Sequence, residues 1–105
     1  MSLQEFGEVL KSVTEAVYHF EAWQETAGEY IVWQETGSRS IHASNVRVET
    51  AKRIQVELYT EEEFSETPER LMETLEEYEV AFEEPVIDYD RDLKKFRYIL
   101  ECEVI

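Results

Sequence analysis

A chain of 105 residues is long enough for one domain with a modest core and too short for two, so residues 1–105 are read as a single domain. Hydrophobic residues at 43%, aromatics at 12%, three Gly and two Pro exclude a disordered or low-complexity chain. Twenty-five Asp and Glu against ten Lys and Arg leave a net charge of -15, which repels nucleic-acid backbones and anionic membranes and so excludes sequence-wide DNA binding. The longest apolar runs, such as Tyr30-Ile31-Val32-Trp33, fall far short of the about 20 residues that span a bilayer, and no basic-then-apolar leader opens the chain. One cysteine, Cys102, forms no internal disulfide and agrees with a reducing compartment. The expectation is synthesis in a cytosol, with no membrane partner.

Phe6, Leu10, Val13 and Val17 recur at intervals of three and four, which predicts an amphipathic helix over about residues 3 to 16 with Glu5, Glu8, Lys11 and Glu15 on its wet sides. Val17–Phe20 and Tyr30–Trp33, aromatic and β-branched, predict two short strands with a turn at Ala27-Gly28 between them. Residues 35–45 show neither period and read as a long loop or irregular hairpin. Arg53–Tyr59 alternates, with Ile54, Val56 and Leu58 on one side, which predicts a strand with one buried face. Thr67-Pro68 offers an N-cap followed by proline, and Leu71, Met72, Leu75 and Tyr78 continue at helical spacing to about Glu79. Val86–Tyr89 reads as a strand entered through Pro85, Asp90-Arg91-Asp92 as a turn, and Lys94–Ile105 as a final alternating strand. Short connections favour antiparallel hairpins. The expected class is α+β, a four- to five-stranded, mainly antiparallel sheet with two helices packed on one face.

Residues 61–84 hold eleven glutamates and one base, Arg70, which accounts for ten of the fifteen net negative charges. The plain reading is a solvated helix face; the sharper one is a surface that repels DNA phosphates or meets a basic partner. Catalytic or metal chemistry finds little footing. The glutamates have no apolar pocket beside them to shift a pKa. Asp88, Asp90 and Asp92 lack the glycine and distal glutamate of a calcium loop. His19 and His42 have no partner at zinc spacing, and Cys102 sits on the apolar side of a strand, where a thiol is inert. No phosphate-binding loop or nucleophile elbow occurs. The expectation is no enzyme, no cofactor and no metal. Bases gather at Arg47, Lys52 and Arg53 and again at Arg91, Lys94, Lys95 and Arg97, the second group interleaved with Phe96 and Tyr98. Nucleic-acid stacking is one reading of that interleaving; charge separation across a head-to-tail subunit contact is the other.

The "YIVW" strand, the Ala43-Ser44-Asn45 step, the strand ending "VELYT", the glutamate-rich helix entered through "EEEFSETPER" and the terminal "FRYILECEV" strand resemble the minor tail proteins of siphophages and prophages known as tail completion or tail terminator proteins. The resemblance runs from about Val17 to Val104, and "VELYT" before an acidic helix is its most specific part. The family's usual aspartate before Asn45 is Ser44 here. The resemblance implies a non-enzymatic structural protein that forms a hexameric ring, caps the tail tube, ends its polymerisation and meets the head connector. Its partners would be further copies of itself, the tail tube protein and the head–tail connector proteins, with DNA passing through unbound. It would occupy the bacterial host cytoplasm during assembly and then the virion tail. In such a ring Glu69, Glu73, Glu76 and Glu77 are candidates for an acidic lumen or partner face, since acidic walls let DNA slide past. Trp23 and Trp33, read as exposed, together with Arg39, His42, Asn45, Arg47, Lys94 and Lys95, are candidates for subunit or partner contacts. The rival reading is a free-standing acidic adaptor or DNA mimic that binds a basic host protein.

Overall fold

Ser2 starts the first helix: its hydroxyl accepts from the Glu5 backbone N–H at 3.1 Å while the Glu5 carboxylate accepts from the Ser2 N–H at 3.4 Å. This capping box opens α1, Leu3–Lys11, whose buried stripe is Phe6, Val9 and Leu10. The computed structural model describes residues 1–21, 28–43 and 46–105, and of these every side chain except those of 41, 43, 47 and 48. After α1 come β1 (Val17–His19), β2 (Tyr30–Ala43), β3 (Val46–Thr60), α2 (Thr67–Glu77), β4 (Ala81–Phe82), β5 (Val86–Asp90) and β6 (Lys95–Val104).

The sheet order is β1-β2-β3-β6, with β4 and β5 both paired along the far side of β6. All pairings are antiparallel except β1 with β2, where Val17 matches Ile31 and His19 matches Trp33 in parallel. Both helices pack on one face. Phe6 and Leu10 of α1 and Leu71 and Leu75 of α2 share a core with Ile31, Trp33, Ile54, Val56, Leu58, Leu100, Cys102 and Val104, which are alternate residues of the three central strands. The expected α+β layering therefore holds, with six strands among the described residues in place of four or five.

Three local expectations need correction, and a fourth resolves to one of its two alternatives. The first helix ends at Lys11, because Ser12 turns back to hydrogen-bond the Val9 carbonyl through both its N–H and its hydroxyl. The second helix begins at Thr67 itself, with Glu66 as N-cap and no side-chain cap; the Ser65 hydroxyl instead accepts from the Thr67 N–H at 3.1 Å. Residues 35–43 take the second of the two forms expected of them, an irregular hairpin: β2 and β3 keep pairing as far as Ala43 with Val46, broken by irregularities at Glu35/Gly37 and Ile41/His42. The exposed backbone there left no apolar alternation to read, and the two irregularities would have scrambled the period in any case. The connection between β1 and β2 is a parallel one, and the expected turn residue Ala27 lies outside the described residues.

Pairing between β3 and β6 stops at Lys52 with Val104, whereas β2 and β3 run on together. The part of the hairpin from Ser38 to Ala43 and from Val46 to Ala51 thus projects beyond the third strand as a two-stranded ribbon. The chain's longest extent, 50 Å against 25 and 22 Å, reflects it.

Candidate functional site

Three surfaces carry the residues singled out from the sequence. The first is the wet side of α2. Spacings of four, three and one put Glu69, Glu73, Glu76 and Glu77 on the side opposite Leu71 and Leu75, and all four are exposed. Among the described residues none of the four pairs with a base. The one base in the block, Arg70, is engaged elsewhere: its guanidinium donates to the Val13 carbonyl at 2.7 Å and ties α2 to the chain leaving α1. The carboxylate field of α2 is therefore left almost uncompensated.

The second surface is the ribbon. It brings Arg39, His42 and Arg47 onto one projection, with Arg47 opposite His42 in the register. Arg39 is exposed and ion-paired with Glu103 of β6. His42 is exposed, as is Val46 at 62%. Asn45, with Ser44, lies outside the described residues, as does Trp23.

The third is the turn between β5 and β6, at the opposite end of the sheet. Here the expectation divides. Lys94 is exposed and takes a left-handed conformation, φ 56°, that closes the turn. Lys95 is not an interface residue. It is only 5% exposed, and its ammonium donates to the Gly28 carbonyl at 2.9 Å, stands 3.4 Å from Glu61 and lies 4.8 Å over the Tyr30 ring. Burial of a lysine is tolerated because each of these partners answers its charge. The Gly28 N–H and then Lys95 together hold the Glu61 carboxyl below its usual range.

Trp33 is likewise corrected. It is 6% exposed and part of the core, stacked on His19 at 4.0 Å and edge-on to Phe6 at 5.6 Å. A short aromatic run in a sequence gives no sign of which of two alternate residues faces the helices; here Ile31 and Trp33 do, while Tyr30 and Val32 face the other way. Gly7 allows the close fit, since a Cβ there would stand 3.2 Å from Trp33 Cζ2.

The sheet face away from the helices is laced by side chains. Gln34 donates to Gln55 and Gln55 to Glu101, each at 3.2 Å. Arg97 clamps Asp88 through two bonds of 3.0 and 2.6 Å, which lowers the Asp88 pKa and raises that of Arg97. Tyr59 stacks on Tyr30 and donates to Glu57 at 2.5 Å, and burial foremost pushes its phenol well above the ordinary range. Cys102 is 3% exposed, and burial pushes its thiol up to about 12, so it presents no thiolate for chemistry. Among the described residues no group of three His, Cys, Asp or Glu side chains is placed to hold a metal ion, and no helix is long and apolar enough to cross a membrane.

Sequence reasoning overlooked a fourth feature, apolar exposure beside the acidic helix: Phe64 is 89% exposed, and Val86, Ile87 and Tyr89 of β5 are exposed as well. The signal available was Phe64 itself, a lone aromatic inside "EEEFSE". A scan against protein-family models matches none to this chain, and a search of curated proteins finds no significant match.

Proposed function

We propose that this chain is a structural tail completion protein of a phage or prophage, one that assembles into a ring, caps the tail tube and joins it to the head connector. The observation that carries the reading is the β2–β3 ribbon. A two-stranded ribbon standing alone is marginal in water, and open strand edges invite pairing with another chain. A projection of this kind suits a subunit that works against neighbours. The uncompensated carboxylates of α2 fit the same role, since a lumen or rim bearing Glu69, Glu73, Glu76 and Glu77 would repel every phosphate of a passing DNA and hold none. No catalytic step, cofactor or metal enters the reading. Its partners are further copies of the chain, the tail tube protein and the connector; its places are the host cytoplasm during assembly and then the virion tail.

Quantitative mass spectrometry of purified particles, with antibody labelling, tests it. Ring-like copy number at the head-proximal end of the tail is the expected result, and absence from particles would overturn the reading. Charge reversal at Glu73, Glu76 and Glu77 should slow DNA ejection while leaving the fold intact, because these side chains touch nothing in the core. The same exposed carboxylates also favour a second reading, an acidic adaptor for a basic host protein. That reading expects a stoichiometric host partner from the lysate and no place in the virion.

A further inference from the structure

Between the start of α2 and β5 runs an open groove of about 510 Å³. Phe64, Pro68, Met72, Ile87 and Tyr98 make its apolar lining, and Glu63, Glu69 and Glu84 are its exposed acids, with no Lys or Arg among the lining residues. Among the described residues none of these three carboxylates pairs with a base. Phe64 is 89% exposed and Ile87 57%. Because both line one groove with Met72 and Tyr98, their exposure is a joined apolar patch and not a scatter of single residues.

The segment that carries Phe64 is fixed on both sides. The Thr60 hydroxyl donates to the Glu62 carbonyl at 2.8 Å and accepts from the Glu62 N–H at 3.1 Å. The Ser65 hydroxyl donates to the Glu29 carboxylate at 3.2 Å and accepts from the Thr67 N–H at 3.1 Å. The ring therefore stands out from an ordered turn, and a ligand that covers it has little loop entropy to overcome.

Charge selects the occupant. Unpaired carboxylates around an apolar floor repel acidic segments and attract a segment that carries cations beside an apolar side chain. A second copy of this chain fits poorly, because it brings a net charge of -15. Its Arg39 and Arg97 are ion-paired within the chain. Arg91 and Lys94 are exposed, but they share their turn with Asp90 and Asp92, so the turn as a whole carries no net charge.

We infer that the groove between α2 and β5 binds a short segment of a different protein, in which one bulky apolar side chain is flanked on both sides by Lys or Arg. The apolar side chain enters between Phe64 and Ile87. The flanking cations lie over Glu63 and Glu69 towards α2 and over Glu84 towards β5. The desolvated apolar anchor supplies most of the affinity, and the exposed cations choose which segments enter. The inference concerns a surface of the isolated chain, so it stands whether or not that chain belongs to a tail.

The probe is a blocked peptide with one leucine between two pairs of arginines, titrated calorimetrically into the purified chain in about 0.15 M salt, where charges more than about 8 Å apart are screened. Glu63→Gln/Glu69→Gln/Glu84→Gln should weaken binding about tenfold. Glu8→Gln/Glu15→Gln/Glu21→Gln removes as much charge from exposed residues outside the groove and should weaken it less than about twofold. Phe64→Ser, at a side chain too exposed to hold the fold, should also weaken it about tenfold, and a probe with serine in place of leucine should no longer tell that variant from the native chain. No binding, equal weakening by the two triple variants, or undiminished binding by Phe64→Ser would overturn the inference. Sedimentation velocity of the chain alone tests the other occupant: self-association that Phe64→Ser abolishes would seat a second copy in the groove and overturn the choice of a different protein. The tail reading is judged on particle content instead, so either can fail without the other.

Discussion

Trp33 and Gly7 offer the sharpest test of how the helices sit on the sheet. The indole is held between His19, stacked at 4.0 Å, and Phe6, edge-on at 5.6 Å, and a Cβ on Gly7 would approach Cζ2 to 3.2 Å. Gly7 lies inside α1, where alanine in place of glycine ordinarily gains about 0.5–1 kcal/mol. Overpacking against a ring held by His19 and Phe6 costs about 1–3 kcal/mol, so Gly7→Ala should be a net loss in the native background. Trp33→Leu, which deletes Cζ2, should itself cost on the order of 2–4 kcal/mol as a large-to-small core change. That is a sizeable part of the about 5–15 kcal/mol that holds a domain together, yet it leaves a folded protein to measure. In the Trp33→Leu background the obstruction is gone, and Gly7→Ala should turn stabilising by about 0.5–1 kcal/mol. Urea unfolding of the four proteins, followed by far-UV circular dichroism, gives the cycle. An equal effect of Gly7→Ala in both backgrounds would refute the packing argument. A Trp33→Leu variant with native stability but altered self-association would return Trp33 to the surface.

Four further outcomes follow from particular contacts. Lys95→Met keeps the buried stem but leaves the Gly28 carbonyl without its ammonium donor, and thermal unfolding should show a loss of about 1–3 kcal/mol. A thiol reagent at neutral pH should label Cys102 only as fast as the chain unfolds, because the group is both buried and held protonated; labelling at the rate of a free thiol would contradict the core assignment. The Asp88 pKa is lowered in the folded state, chiefly by the Arg97 hydrogen bonds. Its contribution to stability is therefore present above the unfolded value of about 3.9 and lost as pH falls through the folded one. The difference in melting temperature between native protein and Asp88→Asn should be constant near neutrality and shrink below about pH 4. Glu79 follows α2 in a left-handed conformation, φ 58°, which glycine adopts without strain, so Glu79→Gly should raise the melting temperature by the equivalent of about 1 kcal/mol.

What the sequence made legible was periodicity under a packed face. Ile54, Val56 and Leu58 alternate because one side of β3 meets the helices, and Leu71 and Leu75 repeat because α2 answers them. The ribbon was legible only as one of two readings, loop or irregular hairpin, for the converse reason: nothing constrains its side chains to alternate, and the two register shifts blur any pattern. β4 was too short to show any period at two residues. Among the candidate surface residues, Glu69, Glu73, Glu76 and Glu77 were readable because helical spacing fixes which side is wet. Trp33 and Lys95 were not. A residue type names what a side chain prefers, whereas their burial depends on which way a strand faces and on Gly28, Glu61 and Tyr30, partners distant in the chain.

β6 is the last strand in chain order, yet it lies inside the sheet, between β3 on one side and β4 with β5 on the other. Until it is made, β3 is paired on its β2 side alone, and the apolar layer of Ile54, Val56 and Leu58 lacks Leu100, Cys102 and Val104. A chain cut short before β6 therefore lacks the strand that joins β3 to β4 and β5. Pairings this distant in sequence form slowly. The charge of -15 then has a use before any partner is met: it keeps waiting chains apart, in solution and in time, until the middle strand arrives.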